Sequence, residues 1–132
     1  MSWSALLIAF LVAHLAGDFL LQTDFQARHK AGGLGRDPVA RGALWTHGFT
    51  YTLCFVPALV WVADQRSVVG AVALALGVLL PHVAVDHGSL VRAWVARVKH
   101  ASDLPPHVTM ATDQTFHVVA LAAAALIVAC WH

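Results

Sequence analysis

Four histidines and three aspartates lie inside segments of the chain that are otherwise apolar. Charged groups are costly in lipid, so ionisable residues at such positions normally face the interior of a helix bundle and mark a functional site. Neutral imidazole and carboxylate are ligand types that zinc accepts, and four ligands are enough for one ion. We therefore predict a zinc site whose metal ligands are His14, Asp18, His47, His82, Asp86 and His117.

These residues recur in the sequence with a regular spacing. The pattern H-x-A-x-D occurs at residues 14–18 and again at residues 82–86, and a further histidine, His47 or His117, follows 33 or 35 residues after the first His of each copy. The chain is therefore interpreted as two tandem helical hairpins with the site at their interface. Asp113 has no counterpart in the first hairpin, and we predict that it is the catalytic base.

Several kinds of chemistry fit this set of residues. A metal ion lowers the pKa of bound water to about 7 and so produces a nucleophile, which favours a hydrolase acting on a lipid or other amphiphile from the cytoplasmic leaflet. Surplus carboxylates either orient the imidazoles or hold a second ion. The alternatives are a carrier of metal ions or protons, a b-type haem protein with His14 and His117 as axial ligands, and a neutral hydrogen-bonded core. A di-iron carboxylate site is disfavoured because the chain has no glutamate.

The composition predicts the elements that must position these residues. The 132 residues are 59% hydrophobic and 11% charged, with a mean hydropathy of +0.71, which indicates an integral membrane protein. Since about 20 helical residues cross a bilayer, we predict an all-α, four-helix bundle forming one transmembrane domain, residues 1–132. Its predicted spans are residues 3–22, 43–63, 67–87 and 110–131, and an amphipathic helix at residues 90–100 lies on the membrane surface.

The basic residues predict the orientation of these spans. The first and third loops carry four and three Lys or Arg residues, whereas the second carries only Arg66, so the first and third loops should face the cytoplasm and both termini the opposite side. In this topology all seven His and Asp groups lie in the cytoplasmic half of the membrane. A formal net charge of +1 gives no nucleic-acid footprint, and Cys54 and Cys130 form no disulfide pattern.

The combined motifs resemble those of a bacterial inner-membrane family classed as a domain of unknown function, DUF3307. The motifs are H-x-x-x-D-F-x-L-Q at residues 14–22, Lys30 in the first loop, His47 opening the second span, and H-x-x-x-D and D-Q-x-x-H at residues 82–86 and 113–117. The resemblance implies a location in the bacterial inner membrane but no established activity. The chain is also similar, by analogy, to small membrane proteins classed as metal-dependent hydrolases.

Other polar and small residues complete the predicted site and its surroundings. We predict that Gln22, Gln114 and Lys30 support the site from outside the ligand set. The small residues of the first and third spans fit either packing within the chain or a homo-oligomer. Membrane lipid is the predicted partner.

Overall fold

All regular structure in the described part of the chain is helical, which confirms the predicted all-α class. The computed structural model describes residues 1–131 and has no strand in that range; His132, the last residue of the predicted domain, lies outside it. Seven α-helices and one π-helical segment, Ala16–Leu21, are present. The α-helices are α1 (Trp3–Leu15), α2 (Asp24–His29), α3 (Pro38–Cys54), α4 (Val56–Gln65), α5 (Val68–Asp86), α6 (Ser89–Arg97) and α7 (Pro106–Cys130).

Four helices begin at a residue whose side chain accepts a hydrogen bond from a backbone N–H of the first turn: Ser2, Thr23, Asp37 and Ser67. Such caps satisfy N–H groups that have no partner within the helix. The sequence Asp37-Pro38 is a cap followed by a first-turn proline, and Asp37 accepts from the Val39 N–H at 2.9 Å. Helix α3 consequently begins at Pro38, whereas the predicted span began at residue 43.

The second predicted span, residues 43–63, is two helices instead of one. Helices α3 and α4 meet at Phe55 and are bent by 53° relative to each other. Pro57 explains the break, because it has no N–H to donate to the Leu53 carbonyl and its ring clashes with that carbonyl. The Phe55 N–H instead closes a tighter turn on the Thr52 carbonyl at 3.0 Å. The prediction of a single span did not include this bend.

The other predicted elements differ from the structure mainly at their ends. The first span ends at Leu21 in a π-helical segment, and the third is α5, in which Pro81 lies without ending the helix. The fourth was predicted from residue 110 but begins at Pro106, since proline suits a first helical turn. The surface helix predicted at residues 90–100 is α6, which ends at Arg97, and α2 was not predicted.

The long helices pack antiparallel and enclose an apolar core at one end. The first half of α1 lies beside the last half of α7, where the Trp3 indole N–H donates to the Ala122 carbonyl at 3.4 Å. Buried side chains of α1, α3, α4, α5 and α7 fill this end. Apolar side chains also cover the outer surface, with Leu20 79% exposed and Val69 74% exposed. Three helices are long and apolar enough to cross a membrane, or four spans if the bent pair counts as one.

Candidate metal centre

The end of the molecule opposite the apolar core contains a cluster of buried histidines and aspartates. The cluster comprises His14, Asp18, His47, His82, Asp86 and His117, each at most 8% exposed. These are the six residues that the sequence predicts as metal ligands, and no other His or Asp among residues 1–131 is buried. They come from α1, the π-helical segment, α3, α5 and α7. The antiparallel packing of these elements therefore brings the two H-x-A-x-D copies together.

Four potential ligand atoms converge at the centre of the cluster. His47 Nε2 lies 3.1 Å from His82 Nε2, 3.3 Å from Asp18 Oδ1 and 3.2 Å from Asp86 Oδ2. His82 Nε2 lies 3.8 Å from Asp18 Oδ1 and 3.1 Å from Asp86 Oδ2. In a tetrahedral zinc site with bonds of about 2.0–2.1 Å, neighbouring ligand atoms are separated by about 3.3–3.4 Å. These separations are close to that value, and Asp18, His47 and His82 form a group that could hold a metal ion.

The second carboxylate oxygen of Asp86 faces another histidine. Asp86 Oδ1 lies 3.3 Å from His117 Nε2, and that nitrogen lies 3.6 Å from Asp113 Oδ2. His82, Asp86 and His117 form a second group that could hold a metal ion, and it shares His82 with the first. The two oxygens of Asp86 contact different histidines: Oδ2 lies near His47 and His82, and Oδ1 lies near His117.

The cluster contacts also form a network of ion pairs and hydrogen bonds among the ligands themselves. In that network Asp18 Oδ1, Asp86 Oδ1 and His117 Nε2 are buried and make no hydrogen bond of good geometry with residues 1–131. Buried polar atoms nearly always have such a partner. A cation bound between the carboxylates and imidazoles would satisfy these atoms together.

Lys30 reaches the cluster from the loop that follows α2. Its ammonium group lies 2.9 Å from Asp86 Oδ2, and its side chain is 16% exposed whereas that of Asp86 is fully buried. The loop is held beside the end of α5 because the Gly32 N–H donates to the His87 carbonyl at 3.0 Å and the Leu34 N–H to His87 Nδ1 at 3.2 Å. His87 therefore positions the loop instead of joining the ligands.

Two glycines allow the helices to approach closely beside the ligands. A Cβ added at Gly17, next to Asp18, would lie 2.6 Å from Tyr51 Cδ2. A Cβ added at Gly48, next to His47, would lie 2.9 Å from a methyl group of Val83. Both distances are shorter than side chains tolerate, so a larger residue at either position would separate the elements that carry the ligands.

The comparison with family models agrees with the resemblance seen in the sequence. The model described as "Protein of unknown function (DUF3307)" matches residues 6–131. The chain belongs to this family. Neither the comparison with curated proteins nor that with solved structures finds a match. The DUF3307 assignment therefore covers nearly the whole chain and leaves its activity open.

His14 lies at one side of the DUF3307 cluster and belongs to neither ligand group. Its Nδ1 lies 3.1 Å from the Tyr51 hydroxyl and 3.6 Å from Asp18 Oδ2, and its Nε2 lies 2.9 Å from Gln114 Oε1. The Gln114 amide in turn donates to Asp18 and Asp113 at 3.3 Å each. Gln114 thus connects His14 to Asp18 and Asp113, and His14, which was predicted as a ligand, contacts Tyr51 and Gln114 instead of the convergent atoms.

Tyr51 is a site residue that the sequence analysis did not identify. Its ring stacks on His82 with centroids 3.5 Å apart and planes inclined by 12°. Most metal-bound histidines are oriented by a hydrogen bond to their second ring nitrogen. Nδ1 of His82 is buried without such a partner, so the stack on Tyr51 is the contact that orients this imidazole. Tyr51 lies four residues after His47, on the same face of α3, and that spacing is the signal in the sequence.

Two predicted site residues lie apart from the convergent atoms. Asp113 is 26% exposed at its side chain and lines a cavity of about 540 Å³ that Asp86 also lines. Gln22 is only partly buried, its amide nitrogen makes no hydrogen bond within residues 1–131, and it contacts none of the ligands by hydrogen bonding. The geometry thus leaves Asp113 accessible to a ligand in the cavity and gives Gln22 no contact with the cluster.

Proposed function

We propose that this DUF3307 protein is a membrane-spanning, zinc-dependent hydrolase that cleaves a lipid or other amphiphile from the cytoplasmic leaflet. The observation that carries the proposal is that Nε2 of His47 and Nε2 of His82 lie 3.1 Å apart and each lies 3.1–3.8 Å from a carboxylate oxygen of Asp18 and of Asp86. Two nitrogen and two oxygen donors in this arrangement suit zinc. These four residues lie on three different elements, the π-helical segment, α3 and α5, so the proposed site depends on the packing of distant parts of the chain.

A metal ion and Asp113 would have separate roles in the proposed reaction. A divalent ion in the cluster would supply Lewis acidity and promote deprotonation of water. Asp113 faces the cavity beside the cluster, where its carboxylate would accept the proton of the attacking water. The water oxygen then bonds to the electrophilic centre of the substrate, the bond to the leaving group breaks, and the protonated Asp113 returns the proton to that group.

The surface of the molecule supports its placement in a membrane. We propose four spans, in which α3 and α4 together form the second, arranged as a four-helix bundle of two hairpins. The exposed apolar side chains of α1, α5 and α7 would contact lipid. The basic loops containing Lys30 and Arg92 would face the cytoplasm. This placement puts the cavity at the inner interface, where an amphiphile can enter.

The packing beyond the cluster is our reason for proposing a hydrolase instead of a carrier that uses the same cluster. Transport requires a route to both sides of the membrane. Beyond the cluster, the space between the helices is filled by Leu6, Phe10, Phe55, Leu74 and Ala125, all at most 5% exposed. The polar site therefore opens at one end only. Metal-ion flux into proteoliposomes that disappeared in Asp18→Asn would nevertheless support the carrier.

The hydrolase is tested with detergent-purified protein, a bacterial polar lipid extract as the substrate pool, and mass spectrometry of the products. The wild-type protein should release cleaved lipid, chelation should stop the release, and Asp113→Asn should lower the rate by roughly 10²–10⁴-fold. Asp103→Asn is the matched control, because Asp103 lines the same cavity but its Oδ1 accepts only the adjacent Leu104 N–H. No product from any lipid, or equal rates for both variants, would refute the proposal.

A further inference from the structure

The cavity beside the metal centre is built at the point where three segments meet. Its volume is about 540 Å³, and its lining comes from α2 and the following loop, the start of α6 and the first turns of α7. Lys30 and Arg92 contribute two cations to this lining. The Arg92 guanidinium lies over Gly88, where an added Cβ would be only 2.9 Å from its Nη1, and Arg92 forms no ion pair within residues 1–131. One of the two cations is thus available for a ligand.

Two helix N-termini also face this cavity. Helices α6 and α7 begin without a side-chain cap, unlike α1, α2, α3 and α5. Gly88 and Val91 line the cavity from the start of α6, and Pro106 and Thr109 line it from the start of α7. The start of α6 presents backbone N–H groups and a partial positive charge to an anion. At the start of α7, in contrast, Pro106 has no N–H, and the Val108 and Thr109 N–H groups donate to the Pro105 carbonyl. The start of α6 and the Arg92 guanidinium are therefore the donors available for a phosphate group.

The acidic residues of the cavity make this anion site dependent on a metal ion. Asp86, Asp103 and Asp113 line the cavity, so the carboxylates outnumber the two cations. A divalent ion bound by Asp86 would add two positive charges and offset the excess of carboxylates. It also competes for the oxygen that Lys30 contacts at 2.9 Å and so frees the ammonium group to bind an anion. Binding of metal and binding of anion should therefore favour each other.

Apolar surface next to the cations indicates that the anion belongs to a lipid. Val91, Leu104 and Met110 line the cavity beside the charged groups. On α6, Trp94 is 43% exposed and Val98 51% exposed, which suits a helix that lies in the interface between headgroups and acyl chains. A free inorganic anion would use the cations but not this apolar wall.

We propose that the cavity binds a phosphate-bearing lipid, with Lys30 and Arg92 as headgroup ligands, in a manner coupled to metal binding. This inference rests on the proposed metal centre and names the substrate class of that site. The phosphate would lie between Arg92, Lys30 and the start of α6, and the acyl chain would pass along Leu104 and Met110. Such a position brings bonds of the headgroup region next to Asp113 and Asp86.

Isothermal titration of the detergent-purified protein with dioctanoyl phosphatidic acid tests this inference. Dioctanoylglycerol, which lacks the phosphate, and inorganic phosphate, which lacks the chains, are the comparison ligands, each titrated with zinc and with EDTA. With zinc, phosphatidic acid should bind at least about tenfold more tightly than either comparison ligand, and EDTA should weaken it by about tenfold or more. Arg92→Gln should weaken it by a similar factor.

Arg97→Gln is the matched control, because Arg97 lies on the same helix but lines a separate apolar cavity with Trp94 and Phe116. It should leave the affinity within about twofold of wild type. Equal binding of phosphatidic acid and dioctanoylglycerol, equal affinity of Arg92→Gln and wild type, or no effect of zinc would each overturn the inference. Equally tight inorganic phosphate would reject the lipid. The metal content of the same samples is measured as well. If the protein binds zinc but not the lipid as predicted, only the lipid-binding inference is wrong; if it binds no zinc, the proposed metal centre is wrong.

Discussion

Replacing Asp86 by asparagine removes the charge at the centre of the cluster while preserving the shape of the side chain. One carboxylate oxygen lies within 3.2 Å of Lys30, His47 and His82, and the other lies 3.3 Å from His117. All of these contacts are buried. Removing one partner of a buried ion pair typically costs about 3–5 kcal/mol, because the other charge is left without compensation. We expect Asp86→Asn to lower the free energy of unfolding by that amount.

Asp24→Asn provides the comparison for this prediction. Asp24 pairs with Arg28 at 2.8 Å, but the two side chains are 77% and 73% exposed. An exposed pair of this kind on one helix contributes about 0.3–0.5 kcal/mol. The assay is unfolding by SDS in mixed micelles, followed by tryptophan fluorescence after dialysis against EDTA. A loss for Asp86→Asn no larger than that for Asp24→Asn would show that the buried network does not hold the helices together as described.

Three further perturbations follow from the geometry of the centre. Gly48→Ala should lower the affinity for zinc at least about tenfold, because the added methyl group separates α3 from α5. Gly77→Ala is the control and should leave the affinity unchanged, since its added Cβ meets nothing within 4 Å. Equal zinc affinities of the two variants, measured by competition with a chelating dye, would contradict this prediction. Tyr51→Phe should cost about 1 kcal/mol in SDS unfolding, because it loses the contact with His14 but keeps the stack on His82, and loss of zinc from this variant would show that the hydroxyl matters more than the ring. Adding zinc at 100 times its dissociation constant should raise the free energy of unfolding by about 2.7 kcal/mol, and an unchanged unfolding midpoint would indicate that zinc does not bind the native state preferentially.

The sequence was sufficient to predict which residues cluster, because His and Asp residues are rare inside apolar membrane-spanning segments and normally face the interior of a helix bundle. Asp18 lies 3.8 Å from His82, so the two H-x-A-x-D copies meet, as expected for a site at the interface of two hairpins. Helical spacing does not, however, determine how far a side chain lies from the common centre. Tyr51 and Gln114 occupy both nitrogens of His14 and separate it from the ligand groups.

The remaining differences depend on contacts between distant segments or on backbone detail. Lys30 and Asp86 are more than fifty residues apart in the sequence, so no local sequence pattern predicts their contact. Tyr51 in an apolar helix has the pattern of a core aromatic, so its stack on an imidazole is visible only in three dimensions. The bend at Phe55 and the π-helical turn that carries Asp18 arise from local hydrogen bonding, which the hydropathy of a span does not record.

The central claim is that His47, His82, Asp18 and Asp86 bind a metal ion. Elemental analysis of the detergent-purified protein, with the His47→Ala/His82→Ala double variant purified in parallel, tests it most directly. We expect at least one equivalent of zinc per wild-type chain, resistant to gel filtration, and none in the double variant. A wild-type protein without a stoichiometric metal after incubation with zinc, or a double variant that retains the same amount, would contradict the claim.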